Sequence, residues 1–421
     1  MNSPVSLPAS KSIASRYLVA TYFAGTLPAD PMFEESEDLR ALQQALLNLY
    51  ADEEPIDYGE TPLDVQGSGT ALRFVTAVCA STPDADFVIT GTPRLLQRPM
   101  LPLLDILRKA GATIEIQGPE STGPYRVTGH RLIGGTFDIE AHISSQFISA
   151  LALCAPSWEN GLTLNFSSPL RSAPYVALTA AVMKDFGIDI SVSDNGLTVK
   201  KGEYKEPNGF KIESDWSAAA FFYEAALLGN LSLELEGLFP LENSLQGDAR
   251  IADIYEKLGI GSAFSVEGVS VSPLPDFSTP SRCQFDLADN PDIVPSLAVA
   301  LCAAGLPYKF TGVRNLRFKE SDRLHAMVSQ LSKLGYSLNA EDDAIEWKGE
   351  TSVPQSNPLI ETFNDHRIAM AFAMLPLSGI ELSIENPDCV NKSFADFWSQ
   401  LPALGLLCRR EGDVMIVSKQ I

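Results

Sequence analysis

Lys11 and Arg16 stand among hydroxyls in Ser10-Lys11-Ser12-Ile13-Ala14-Ser15-Arg16, where an apolar helix should begin. Free backbone N–H groups and the helix dipole favour an anion at such a place. A plain N-cap with solvated charges would read the same way. Gln66-Gly67-Ser68-Gly69-Thr70-Ala71-Leu72-Arg73 is a second stretch of this kind, with glycines that let backbone approach a ligand closely. It lacks the GK[ST] of a P-loop and the third glycine of the dinucleotide fingerprint. Arg94 and Arg98-Pro99 follow before another helix. Ser144-Ser145-Gln146 opens a helix of small residues, and its hydroxyls and amide could hold phosphate or sugar oxygens or simply cap the helix. Ser172-Ala173-Pro174-Tyr175 repeats that choice, with Pro in the first turn.

Two further stretches mix acids with cations. In Asn315-Leu316-Arg317-Phe318-Lys319-Glu320-Ser321-Asp322-Arg323-Leu324, five of the seven residues from 317 to 323 are charged. Lys319, Glu320 and Arg323 could supply a proton donor together with cations that hold its substrate. Asn364-Asp365-His366-Arg367 runs into the apolar stretch 368–375 and is either an elaborate cap or part of a site. Asp292, in Asn290-Pro291-Asp292, and Lys392, after Val390-Asn391, complete the set.

The elements that must position these residues recur. An amphipathic helix, a glycine and a short alternating stretch appear at 101–112, 176–187, 249–259, 323–335 and 395–405. Their glycines, 111, 187, 259, 335 and 405, are 76, 72, 76 and 70 residues apart. A weaker first copy, 39–50, lacks the glycine. Six units of about 70 residues are too long for a solenoid repeat and suit small α/β units. Alternating helices and short strands predict an α/β class, in two groups of three units. Residues 150–155, 217–228 and 296–304 are apolar on nearly every face, which predicts helices inside and sheets outside. Candidate crossings between the halves are 8–10 and 211–215.

Composition limits the partners. The 421 residues carry 31 Lys+Arg and 53 Asp+Glu, a net charge of −22, so the overall field repels nucleic acid. Small anions then need local cationic pockets. No apolar run reaches the ~18 residues of a membrane span, and no secretory signal is visible. Six widely spaced cysteines without CxxC suit reduced thiols and a cytoplasmic location. Four histidines without metal spacing predict no metal site. A monomer acting on small molecules is expected, with neither nucleic acid nor membrane as partner.

In this order, from Leu7 to Lys392, the stretches resemble the 5-enolpyruvylshikimate-3-phosphate synthase family of enolpyruvyl transferases. The resemblance implies a two-domain inside-out α/β barrel, each domain built from three βαβαββ units. Residues 1–9 with 215–421 would form one domain and 10–214 the other, with the active site in the cleft between them. The implied reaction joins phosphoenolpyruvate to the 5-hydroxyl of shikimate 3-phosphate and releases phosphate, with no cofactor. By similarity, Lys11, Ser12, Arg16, Ser144, Ser145, Gln146, Ser172, Tyr175, Asp292, Asn315 and Lys319 would bind shikimate 3-phosphate. Phosphoenolpyruvate would fall to Lys11, Gly69, Arg98, Gln146, Arg323, Arg367 and Lys392. Glu320 fits the acid, Asp292 the base, and Lys11 and Lys392 would stabilise the departing phosphate. Glyphosate competes with phosphoenolpyruvate in this family, with Gly69 beside it. The alternatives are transfer to another acceptor such as a UDP-sugar, and a non-catalytic binder of phosphorylated metabolites.

Overall fold

Each glycine of the repeat ends its helix in the left-handed region, with φ between 80° and 119°. There a side chain would strain the backbone, so the period seen in the sequence is a period of helix stops. A computed structural model describes residues 4–33, 35–50 and 62–420. The chain divides into two units, Lys11–Ile212, and Met1–Ser10 with Glu213–Ile421. Where the chain passes between them, segments 8–10 and 213–215 bond to each other: Ser10 N–H donates to Glu213 O at 2.8 Å and Asp215 N–H to Pro8 O at 2.9 Å.

In the unit Lys11–Ile212 the helices are α1 (Lys11–Ala24), α2 (Glu37–Tyr50), α3 (Gly69–Ser81), α4 (Pro93–Leu96), α5 (Leu101–Ala110), α6 (Ser145–Cys154) and α7 (Ala173–Asp185). α1, α3 and α6 pack on one another and are buried on almost every face, while α2, α5 and α7 lie against them. Strands Leu63–Asp64, Asp86–Thr90, Tyr125–Thr128 and Thr113–Ile116 form one sheet in that spatial order, with the first pair parallel and the others antiparallel. Its register puts Leu63, Ile89 and Tyr125 side by side, all buried. Strands Gly135–Ile139, Leu162–Phe166, Gly196–Val199 and Ile190–Ser193 repeat the arrangement.

The other unit holds α8 (Trp216–Gly229), α9 (Ile251–Glu256), α10 (Val294–Ala303), α11 (Arg323–Lys333), α12 (His366–Ala373) and α13 (Phe397–Gln400). Here α8, α10 and α12 form the inner trio. Two four-stranded sheets repeat the same order, and a third has three strands. In that third sheet Val5 bridges Leu235 in parallel, where the other sheets place their first strand. This is the inside-out α/β arrangement: apolar helices meet at the centre and each sheet covers its own helices with one face. Phe221, Phe222 and Trp216 of α8 are fully buried, and truncating such an aromatic costs about 3–5 kcal/mol.

The local expectations differ in three places. The weaker first copy, 39–50, lies within α2, and no sheet of its own follows it among the described residues. Segment 249–259 is a 3-10 turn, Gly247–Arg250, followed by the six-residue α9, because Asp248 turns inward to side-chain partners. Segment 395–405 splits into α13 and a 3-10 turn, Leu401–Leu404, since Pro402 has no N–H to continue an α-helix.

Candidate active site

In the unit Lys11–Ile212 the inner helices start side by side. Gln146 Nε2 on α6 donates to Thr70 Oγ1 on α3 at 3.0 Å. Arg16, one turn into α1, donates to Ser12 O (2.7 Å), Thr179 Oγ1 (2.6 Å), Ser149 Oγ (3.1 Å) and Tyr175 O (3.3 Å). It therefore ties α1 to α6 and α7. Burial pushes this guanidinium down to about 10, against a smaller upward pull from Tyr175. Among the described residues no carboxylate pairs with it. Lys11 Nζ meets Asp38 Oδ2 of α2 at 2.8 Å.

Ser68 caps α3 by accepting from Ala71 N, and Gly69 follows under two guanidinium groups. A Cβ on Gly69 would collide with Arg98 Nη1 and stand 2.7 Å from Arg73 Nη1. An added Cβ would therefore make the ends of these two side chains shift. Ser144 caps α6 through Gln146 N, and Ser145 is buried beside it. Ser172 precedes α7 with φ 56°, a conformation that costs a serine about 1–2 kcal/mol, and its side chain makes no capping bond. Of the charged side chains named here, Lys11, Arg16, Arg73 and Arg98 are cationic and only Asp38 is anionic. An acidic chain thus concentrates positive charge at these helix starts.

In the other unit, Arg323 at the start of α11 is fully buried at the centre of three carboxylates. Its Nε lies 2.8 Å from Asp365 Oδ2, its Nη2 2.7 Å from Glu320 Oε2, and its Nη1 2.9 Å from Asp292 Oδ1. Burial alone would push this guanidinium down; the charges of Asp365, Glu320 and Asp292 outweigh it and hold it above its ordinary value. Asp292 also takes Lys319 Nζ at 3.3 Å and Arg367 Nη2 at 3.4 Å. Lys319, Arg323 and Arg367 thus balance Asp292, Glu320 and Asp365, and no charge in the group is buried alone. Asp365 caps α12, accepting from Arg367 N at 3.0 Å. The turn before it carries Phe363 and Asn364 in the left-handed region, and Lys392 Nζ donates to Asn364 O at 2.5 Å. Asn315 Oδ1 is buried with no hydrogen-bond partner among the described residues.

Such an arrangement can hold multiply charged anions and move protons. Planar guanidinium groups engage phosphate and carboxylate oxygens in pairs. Helix N-termini add donors, and Glu320 and Asp292 are carboxyls placed among the cations.

The EPSP synthase (3-phosphoshikimate 1-carboxyvinyltransferase) family model matches residues 1–401. The chain belongs to the EPSP synthase family. It is 35% identical over 408 residues to the 3-phosphoshikimate 1-carboxyvinyltransferase of Bacteroides fragilis, covering 96% of each chain. That of Photorhabdus laumondii is 32% identical over 424 residues, again 96% of each. The fold is shared with the EPSP synthase of Acinetobacter baumannii, at a TM-score of 0.70 and 24% identity, covering 99% of this chain and 97% of that one. The enolpyruvyl transferase NikO of Streptomyces tendae has the fold at a TM-score of 0.65 and 14% identity. The activity is that of the family, 3-phosphoshikimate 1-carboxyvinyltransferase, in the shikimate pathway. No helix among the described residues is long and apolar enough to cross a membrane.

Within this EPSP synthase fold the expected site residues fall into two groups. Lys11, Ser12, Arg16, Gly69, Arg98, Ser144, Ser145, Gln146, Ser172 and Tyr175 lie at or near helix starts of one unit. Asp292, Asn315, Lys319, Glu320, Arg323, Arg367 and Lys392 lie in the other. Sequence reasoning gave no role to Arg73, which donates to Gly69 O at 2.7 Å and Pro99 O at 3.2 Å and so links the glycine turn to the Arg98 segment. Its place four residues after Gly69, on the same helix face, was the available signal. Asp365 was read as a cap or a site residue and is both a cap and the partner of Arg323. Asp248 and Asn290 left no signal, since an Asp after Gly and an Asn before Pro are ordinary turn residues.

Proposed function

We propose that this chain transfers the carboxyvinyl group of phosphoenolpyruvate to the 5-hydroxyl of shikimate 3-phosphate, with the two groups of residues sharing the work. Glu320 delivers a proton to the methylene carbon, leaving positive charge on the adjacent carbon. The 5-hydroxyl oxygen bonds to that carbon while Asp292 takes its proton. Glu320, left as a carboxylate, then takes a methyl proton back from the adduct as the C–O bond to phosphate breaks, and Lys11 and Lys392 stabilise the leaving charge. Lys11, Ser12, Arg16, Ser144, Ser145, Gln146, Ser172, Tyr175, Asp292, Asn315 and Lys319 bind shikimate 3-phosphate. Lys11, Gly69, Arg98, Gln146, Arg323, Arg367 and Lys392 bind phosphoenolpyruvate.

The observation that carries this assignment is Asp292 and Glu320 on the same Arg323 guanidinium, at 2.9 and 2.7 Å. Two carboxyls must differ in protonation to act as acid and base. An anion arriving at Arg323 competes with Glu320 for that guanidinium, while Asp292 keeps Lys319 and Arg367 as partners. The test is phosphate release with both substrates, with each omitted, and with a UDP-sugar in place of shikimate 3-phosphate. Release that needs both substrates supports the reading. Release with the UDP-sugar, or none with shikimate 3-phosphate, overturns it.

A further inference from the structure

We propose that Asp248 is a positioning residue for carboxyvinyl transfer, fixing through Asn290 the turn that presents Asp292. The inference rests on Asp292 acting as the base. Asp292 sits in a single 3-10 turn, Pro291–Ile293, whose N-cap residue, Asn290, makes no side-chain capping bond. The turn is instead held from outside. Asn290 is buried, and its Nδ2 donates to Gly247 O at 2.8 Å and to Asp248 Oδ1 at 3.4 Å. Its Oδ1 accepts from Arg250 Nη1 at 3.4 Å. Asp248 is in turn anchored by a short hydrogen bond from Ser217 Oγ, in the first turn of α8. A chain of side chains thus runs from α8 through Asp248 and Asn290 to the backbone that carries Asp292. Arg367 closes it, donating to Asp292 O at 3.1 Å. An aspartate buried this deeply, with one carboxylate oxygen on a hydroxyl and the other on an amide, does more than cap a turn.

The charged groups around Asp248 are Asp215 at the cap of α8, Arg250 on its own turn, Asp292 before α10 and Arg367 on α12. Burial, and after it the charge of Asp292, push the Asp248 carboxyl up to about 6; the Ser217 hydroxyl and Arg367 hold it back. Above that pH the carboxylate accepts from Asn290 and Ser217. Below it a proton occupies an acceptor position and the hold on the 290–292 turn loosens. The kcat/KM, which follows the free enzyme, should therefore fall on the acid side as Asp248 takes up its proton.

The test is the pH dependence of kcat/KM, with kcat recorded alongside, in the parent, Asp248→Asn and Ser217→Ala. Asp248→Asn should lower the neutral-pH kcat about tenfold to a hundredfold, as small misplacements of a reacting group do, and remove the part of the acid limb that Asp248 contributes, leaving that of the base. Ser217→Ala removes a donor to the carboxylate and should move the limb to higher pH, a change that a merely structural role would not produce. Asp292→Asn is measured alongside. If it retains turnover, the base assignment is wrong. If it is inactive while Asp248→Asn keeps the parental profile, or while Ser217→Ala leaves the acid midpoint unmoved, the positioning role is overturned.

Discussion

Glu224 offers a sharp test of how this fold tolerates a buried acid. It lies on α8, fully buried, and neither carboxyl oxygen has a hydrogen-bond partner among the described residues. The Tyr255 hydroxyl is buried without a partner as well. Burial holds the Glu224 carboxyl well above its ordinary 4.5. The native state then binds a proton that the unfolded state releases. Its contribution is greatest below pH 4.5 and declines as pH rises toward the folded value. Between 4.5 and the folded value each unit of pH lowers the parent's stability by up to ~1.36 kcal/mol. Glu224→Gln keeps the shape and removes the titration. It should therefore exceed the parent in stability by a margin that grows from pH 5 to pH 7, by up to ~1.36 kcal/mol for each unit. Glu224→Leu should gain about 1–3 kcal/mol more at both, because no polar atom is left unsatisfied. Urea unfolding of the three proteins at the two pH values reads this directly. Equal gains for Gln at pH 5 and pH 7 would refute the buried neutral acid.

Glu320→Gln and Asp292→Asn should each remove turnover while calorimetry still detects shikimate 3-phosphate binding; near-parental turnover in either excludes that residue from proton transfer. Gly69→Ala should displace the Arg98 guanidinium, raising the KM for phosphoenolpyruvate and raising the glyphosate inhibition constant by a larger factor, since a longer ligand tolerates less intrusion. Equal factors would show that the methyl acts only through Arg98. Arg73→Lys keeps the charge but cannot reach Gly69 O and Pro99 O together, and the loss of one such bond, about 1.5 kcal/mol, should raise that KM roughly tenfold. An unchanged KM would mean that the glycine turn holds itself.

The sequence determined the helix stops, because only glycine takes the left-handed conformation cheaply at 111, 187, 259, 335 and 405. It determined the buried helices as well, because residues such as 217–228 have no polar face to turn to water. Runs such as Lys319-Glu320-Ser321-Asp322-Arg323 were legible because charges that break an apolar pattern need a reason to be there. Only the tertiary structure decided which acid meets which cation. Arg323 takes carboxylates from positions 292, 320 and 365, and two of these are separated from it by more than 30 residues. The same holds for Asp248, Arg73 and Glu224. Their residue types are ordinary in a sequence, and their consequences come from burial and, for Asp248 and Arg73, from partners such as Ser217 and Pro99 that folding brings to them.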